Sequence, residues 1–327
     1  SCPEFPFHLQ GGKMTCKHSC VRLLVILALF LAGCRSAVQV QALPVEPTPR
    51  LAIESAVPAE IGSLIKGLQD VRAYQINGRT YTTGRLAGHD VVLFSSGVSM
   101  VNAAMSTQTA LDYFNVNAIV FTGIAGGVNP ALNIGDVTVP AQWGQYQEQI
   151  FARQTEQGWD TGGKAVSFGN FGMMFPQPVE TTRKDSKSDD QKQVFWFPAD
   201  PGMLAAARQA AANAKLERCA LPGVCLSHQP QVVVGGNGVS GPTFVDNAEY
   251  RAWVWQTFQA DALDMETAAV AQVAYTNNVP YVAFRSLSDL AGGGPGANEM
   301  PTFGLLAARN STSVLEAFLT RWKKAGD

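Results

Sequence analysis

Charge is scarce in this chain. Asp, Glu, Lys and Arg make up 15% of its 327 residues, against roughly 25% in an ordinary soluble domain. The 24 basic and 26 acidic side chains nearly cancel, to a formal net charge of −2. With no basic excess to neutralise a phosphate backbone, a nucleic-acid partner is not expected. A chain that is 46% hydrophobic and this close to neutral is not intrinsically disordered either. Cysteine is sparse as well, and six in this length are too few for a disulfide scaffold. The four histidines, His8, His18, His89 and His228, are scattered. No His/Cys cluster therefore has metal-ligand spacing, and neither a metal nor another cofactor is expected. The main apolar run, Val21–Leu31, broken only by Arg22, is too short for a spanning helix, which needs about 20 residues.

That run fits the apolar core of a secretory signal, with Lys17 and Arg22 toward its N-terminal side. Leu31-Ala32-Gly33-Cys34 follows it and resembles the bacterial lipobox, in which the cysteine thiol takes a diacylglycerol and becomes the mature N-terminus. Met14 reads as the start, and Ser1–Lys13 as upstream sequence. Residues 1–33 are thus expected to be upstream sequence and signal. Residues 34–50, with Pro44, Pro47 and Pro49, read as an extended tether. The protein would be exported and held at the periplasmic side of a bacterial membrane by lipid on Cys34 alone. Cys219 and Cys225 are then the cysteines left in the body. They bracket a Pro222-Gly223 turn signal, and an exporting compartment oxidises thiols, so a Cys219–Cys225 disulfide is expected.

From Leu51 onward one domain, 51–327, alternates strand-like and helix-like patterns. Leu51–Ser55, Val91–Phe94, Ala118–Phe121, Val137–Val139, Val232–Val234 and Tyr281–Arg285 read as short apolar strands. Ala59–Leu68, Met203–Lys215 and Glu266–Tyr275 read as helices. Met100, Ala104, Thr107, Leu111 and Phe114 mark one helical face, and Leu315, Phe318, Leu319 and Trp322 another. Asn77-Gly78 signals a hairpin. Trp143 to about Pro198, rich in Gln, Gly, aromatics and charge, reads as an irregular insertion placed to cover a site. Continuous apolar strands between helices argue for an α/β domain with a largely parallel sheet.

In such sheets ligands bind beyond the carboxyl ends of the strands. Thr122–Gly127 follows one strand there. It lacks the G-x-G-x-x-G spacing of a dinucleotide site, but its glycines let backbone N–H groups approach a ligand. Asp289 follows another strand, Asp264-Met265-Glu266 opens a helix, and Glu60 lies in the first turn of the first helix. Each acid has an ordinary reading as a helix-dipole or turn charge.

Taken together, Ser95–Gln108, Phe121–Val137, Ala262–Ala274 and Val279–Ala291 resemble the nucleoside phosphorylase superfamily, most of all its 5′-methylthioadenosine/S-adenosylhomocysteine nucleosidases. The resemblance runs from about Ile53 to Trp322, interrupted by the insertion. It implies a three-layer α/β/α fold with a mixed central sheet, a small purine nucleoside as partner, and a homodimer whose sites borrow a neighbour's residue. By the resemblance, Glu60 helps to activate the attacking water, Glu266 holds the ribose hydroxyls, and Met265 packs on the ribose. Asp289 hands a proton to purine N7. Phe244 and Val245 belong to the segment against the base, and Ile124, Ala125 and Gly126 to the loop beside base and sugar. Arg285 and Ser288 support the acid's loop. The segment Ser240–Asn247 departs from the pattern, with Pro242 where the nucleosidases often carry an acid. The 143–198 insertion is also atypical.

The chemistry needs such a set. An N-glycosidic bond breaks through an oxocarbenium-like state, and adenine leaves once N7 is protonated by a general acid. Carboxylates near the ribose offset the positive charge. The superfamily's phosphorylases hold phosphate with arginines near the first strand–helix turn and before the glycine segment. Ser55–Glu60 and Ala118–Thr122 contain no Arg, which favours water as nucleophile, although Arg72, Arg79 or Arg85 could fold inward. Three functions are therefore weighed: a purine nucleosidase, a purine nucleoside phosphorylase, and a nucleoside-binding or storage protein without turnover.

Overall fold

The apolar run Leu51–Ser55 belongs to a ten-residue strand, β1 (Glu46–Ser55), which lies inside a twelve-stranded sheet. The computed structural model describes residues 46–186 and 192–323. The signal, Cys34 and most of the tether read from the sequence lie outside these residues, as does part of the polar run near 187–191. The remaining strands of the sheet are β2 (Gln69–Ile76), β3 (Arg79–Leu86), β4 (His89–Ser95), β5 (Phe114–Gly127), β6 (Val137–Val139), β7 (Gln142–Gln145), β8 (Trp196–Pro198), β9 (Val232–Val234), β10 (Asn237–Ser240), β11 (Ala260–Asp264) and β12 (Tyr281–Asp289).

The order is β8-β7-β10-β11-β5-β1-β4-β3-β2, with β12 also on β5 and β6 joining β12 to β9. The apolar runs of β1, β4, β5 and β12 are buried along nearly their whole length, and these strands pair in parallel. Burial on both faces is what a continuous apolar run dictates. The β2–β3–β4 meander is antiparallel, as are β11–β5 and β12–β6, so the sheet is mixed. Asn77 and Gly78, both at positive φ (51° and 76°), make the β2–β3 turn.

Six helices flank the sheet: α1 (Gly62–Lys66), α2 (Met100–Tyr113), α3 (Pro201–Ala211), α4 (Ala248–Phe258), α5 (Thr267–Asn277) and α6 (Met300–Leu319). The result is a three-layer α/β/α fold. Helices α2 and α5 pack on each other, and their buried positions are small: Ala103, Ser106, Thr107 and Ala110 on one, Ala268, Ala269, Ala271 and Ala274 on the other. Small residues let the two axes approach closely.

Several boundaries differ from the sequence reading. Ala59–Leu68 is not one helix. Pro58–Glu60 forms a 3-10 turn and Ile61 separates it from α1, so Glu60 sits on a turn. Phe114 starts β5 and does not belong to the α2 face. Thr122–Gly127 is not a loop but the end of β5, paired with β12 as far as Gly126↔Asp289. Helix α4 and strand β11 gave no signal that was recognised.

The described residues of 143–198 are not wholly irregular. Beyond β7 and β8 they form short antiparallel pairs, Gln149–Phe151 with Met174–Pro176, Arg153–Thr155 with Gly158–Asp160, and Val179–Thr181 with Lys192–Val194. Phe168, Phe171, Phe195 and Trp196 from this region pack on Tyr146, Tyr250, Trp253 and Phe258. Cys219 and Cys225 are joined by a disulfide across a small hairpin, Cys219–Leu221 with Val224–Cys225.

Candidate active site

The carboxyl ends of β1, β5, β11 and β12 converge on a cavity of about 310 Å³, at the lower end of the size usual for small-molecule sites. Glu60, Glu266 and Asp289 all line it, although they are only 5%, 3% and 2% exposed. Each is placed by a different element.

Glu60 reaches the cavity because the chain turns sharply after β1. Its Oε2 accepts from the Val57 N–H and its Oε1 from the Ile124 N–H, both at 3.0 Å. The second bond ties the 3-10 turn to β5. A Cβ at Gly123 would stand 2.7 Å from Glu60 Oε1 and 2.8 Å from Arg285 Nη1. Glycine is thus the residue that lets carboxylate and guanidinium close over the β5 backbone. Burial pushes the Glu60 carboxyl up, while Arg285 and the two N–H donors pull it back.

Glu266 caps α5. Its Oε1 accepts from the Ser99 N–H at 2.9 Å, and its Oε2 accepts from Arg285 Nη2 at 3.2 Å. Ser99 has φ 90°, an uncommon value for a residue with a side chain, at the position where its N–H meets this carboxylate. Burial pushes Glu266 up to about 7, against the pull of Arg285 and with help from the Asp264 charge.

Asp289 ends β12. Its Oδ2 accepts from the Ser288 hydroxyl at 2.7 Å and its Oδ1 from the Ala291 N–H at 2.8 Å. Asn298 Nδ2 approaches the same Oδ1 at 3.5 Å. Burial raises this carboxyl too, and the Ser288 hydroxyl partly offsets it. All three acids therefore hold protons more tightly than in water, as acid–base chemistry near neutral pH requires.

The walls are largely apolar. Ile124, Ala125 and Gly126 come from β5, Met265 from the turn after β11, and Phe244 and Val245 from the segment before α4. Phe244 is 54% exposed and stands at the rim. Ser288 lines the cavity beside its acid. Arg285 does not support the acid's loop as expected. It lies between Asp264 Oδ2, 3.1 Å from its Nε, and Glu266, with the Phe121 ring 4.9 Å away. Its Nη1 is buried without a hydrogen-bond partner, on the Glu60 side of Gly123. Among the described residues of 143–198, none lines the cavity, so that part of the insertion does not cover it.

Sequence reasoning also passed over Asp264, Ser99, Val98, Met300 and Asn298. Ser99 acts through its backbone, which no residue type announces. Asp264 was visible in the Asp-Met-Glu triplet but read only as a charge at a helix start.

A family model described as the phosphorylase superfamily matches residues 50–320, spanning the strands that build this cavity. The chain belongs to the phosphorylase superfamily. Among its members, the 5′-methylthioadenosine/S-adenosylhomocysteine nucleosidase of Bacillus cytotoxicus is 30% identical over 245 residues, covering 74% of this chain and 87% of that protein. A solved Streptococcus pneumoniae nucleosidase of the same name, holding a transition-state inhibitor, superposes with a TM-score of 0.62 at 26% identity. The match covers 83% of this chain and 99% of that one. The Helicobacter pylori futalosine hydrolase, at 20% identity and a TM-score of 0.63 over 84% of this chain and 98% of that one, shares the superfamily fold.

Proposed function

We propose that this protein hydrolyses the N-glycosidic bond of adenine nucleosides of the 5′-methylthioadenosine/S-adenosylhomocysteine type, releasing adenine and the ribose derivative. The observation that carries this reading is the convergence of Glu60, Glu266 and Asp289 on one small cavity with apolar walls. Asp289, raised by burial, is suited to donate its proton to purine N7 as the C1′–N9 electron pair moves into the base. Glu266 accepts from the ribose hydroxyls and offsets charge on the developing oxocarbenium ion. Glu60 Oε1 and the free Arg285 Nη1 flank Gly123 and orient the water. Its oxygen attacks C1′ and its proton passes to Glu60. Phe244 stacks on the base from the rim, Val245 stands beside it, and Met265 packs on the sugar.

Water is favoured over phosphate by the charges. Arg285 is the cation lining the cavity among the described residues, and it is already engaged by two carboxylates. Arg79 turns to the Ser95 carbonyl and to Asn102 Oδ1, beneath Gly97. A dianion would meet a guanidinium whose single charge is already matched by two carboxylates, with the Glu60 carboxyl beside it. The storage reading loses support because all three acids are in place.

Base release from 5′-methylthioadenosine, adenosylhomocysteine, adenosine and inosine, with and without phosphate, tests the proposal. Release independent of phosphate, abolished by Asp289→Asn, is expected. Strict phosphate dependence, or tight binding without turnover, overturns it.

We also propose the setting read from the sequence, signal to residue 33, lipid on Cys34, then a tether and the catalytic domain at the periplasmic face; the tether is shorter than the 34–50 read from the sequence, because strand β1 begins at Glu46. The Val21–Leu31 run, the lipobox-like tetrapeptide and the Cys219–Cys225 disulfide support it, since disulfides persist in oxidising compartments. A homodimer is proposed as well. Val98, Val101 and Met105, 46%, 69% and 54% exposed, form an apolar stripe that begins at the cavity and runs out along α2.

A further inference from the structure

Asp264 is buried among the acids described above and has no part in the reaction as drawn. It ends β11, opposite Ser240 of β10. Its carboxylate accepts from the hydroxyls of Ser240 and Thr267 and from the N–H groups of Glu266 and Thr267, each at 3.1 Å. Every one of these partners is a donor. Asp264 therefore fixes the backbone of Glu266 and the root of the segment that carries Phe244.

One edge of the Arg285 guanidinium is shared between the two acids. Nε lies 3.1 Å from Asp264 Oδ2, and Nη2 lies 3.2 Å from Glu266 Oε2, with the acid side chains only 1% and 4% exposed. A carboxylate held by both nitrogens of an arginine edge forms a strong bidentate pair. Glu266 has only one of them, because Asp264 Oδ2 stands against the neighbouring Nε as an ion pair without hydrogen-bond geometry. We infer that Asp264 is a positioning residue that divides the single Arg285 charge between two buried carboxylates and thereby governs the charge state of Glu266. This rests on the function proposed above only for its effect on turnover.

Other charges face the pair. Glu60 acts on Glu266 across the cavity. Glu54, fully buried on β1 with Oε2 accepting from Thr107, lies behind it, and Arg79 acts on Glu54. None of these bonds to Glu266, and Glu60 also feels the Arg285 charge but forms no ion pair with it among the described residues, so Asp264 is the acid that competes with Glu266 for that cation by direct contact. Removing the Asp264 charge takes away a like charge and frees Arg285 to pair fully with Glu266. Both changes favour the ionised form.

The test is a ¹³C NMR titration of the Glu266 carboxyl in the folded protein, with no substrate present. Asp264→Asn is expected to move its midpoint down by at least one pH unit, and Asp264→Glu to keep it near the wild-type value. In parallel, the acid limb of the kcat/KM profile for 5′-methylthioadenosine should move down in Asp264→Asn, raising activity at pH 5.5 about tenfold relative to that variant's own plateau. Should Asp264→Asn fail to fold, Asp264→Ser keeps an acceptor for the α5 N–H groups and removes the charge. A midpoint unmoved in the folded charge-free variant overturns the inference and leaves Asp264 as a helix cap. An inactive wild type with a shifted midpoint would overturn the proposed function alone.

Discussion

Gly123 is the residue on which the geometry of the cavity turns, although it contributes no chemistry. A methyl group there would press on Glu60 Oε1 and Arg285 Nη1 at under 3 Å. Neither can yield freely, since Glu60 is held by two N–H groups and Arg285 is paired with Asp264 and Glu266. Displacing a positioned group by about 1 Å can reduce a rate about 100-fold, and overpacking a tight site costs about 1–3 kcal/mol. Gly123→Ala is therefore expected to fold, to melt a few degrees lower and to lose about 100-fold in kcat/KM. Near-normal turnover in that variant would show that the Glu60–Arg285 approach is not needed. At this scale the sequence was readable where chemistry follows residue type. Glu60, Glu266 and Asp289 announce themselves as acids in recognisable segments, and the structure gathers them. Ser99 does not, because its N–H is what Glu266 uses. The partition of Arg285 between two acids depends on side-chain direction, which spacing along the chain does not encode.

Helix α2 shows what can be argued for an element. Its inner face is small, Ala103, Ser106, Thr107 and Ala110, and its outer side carries Val101 and Met105, which continue an exposed apolar stripe from Val98 just ahead of the helix. Exposed apolar residues in a row are a common mark of a covered surface. Val101→Lys would place a charge in the middle of the stripe. Sedimentation of that variant is expected to give a monomer where the wild type gives a dimer, with the monomer's secondary structure intact. A wild type that sediments as a monomer at micromolar concentration removes the proposal. The elements themselves were unevenly legible. Val137–Val139 and Val232–Val234 match β6 and β9 residue for residue, because short apolar runs between turns have few alternatives. The end of β5 was missed for a physical reason. Gly123, Gly126 and Gly127 have poor strand propensity, and pairing with β12 (Gly123, Gly126) and β11 (Gly126, Gly127) holds them extended. The insertion was misread because its hairpins are only three residues to a strand, and its aromatics pack on α4 rather than over the cavity.

The molecule as a whole carries a signature of its buried acids in its pH dependence. Burial raises Glu60, Glu266 and Asp289, so each is easier to bury protonated. Stability from this source is fully present below the ordinary carboxylate range. It is lost as pH rises through the folded-state values, which for Glu266 is about 7. The Glu266 contribution is on the order of 3 kcal/mol. Glu46, which is lowered, acts in the opposite sense, but only as pH falls below the ordinary carboxylate range. The substrate-free protein is thus expected to melt at a higher temperature at pH 5.5 than at pH 8, and Glu266→Gln to flatten that slope. A melting temperature that rises across this interval would contradict the assignment of burial as the dominant influence.

Strand β1 also joins two ends of the molecule. At its start Arg50 bonds to Glu46 through Nε at 2.9 Å, with both residues 8% exposed, so the incoming chain is clamped there. At its finish the same strand runs into Ala56, Val57 and Glu60 of the cavity. Ten strand residues span about 33 Å. A pull on the chain ahead of Glu46 is therefore borne first by the pairing of Glu46 and Arg50 with β5 and then, from Leu51 onward, by β4 and β5 together, at the opposite end of the strand from the reacting groups.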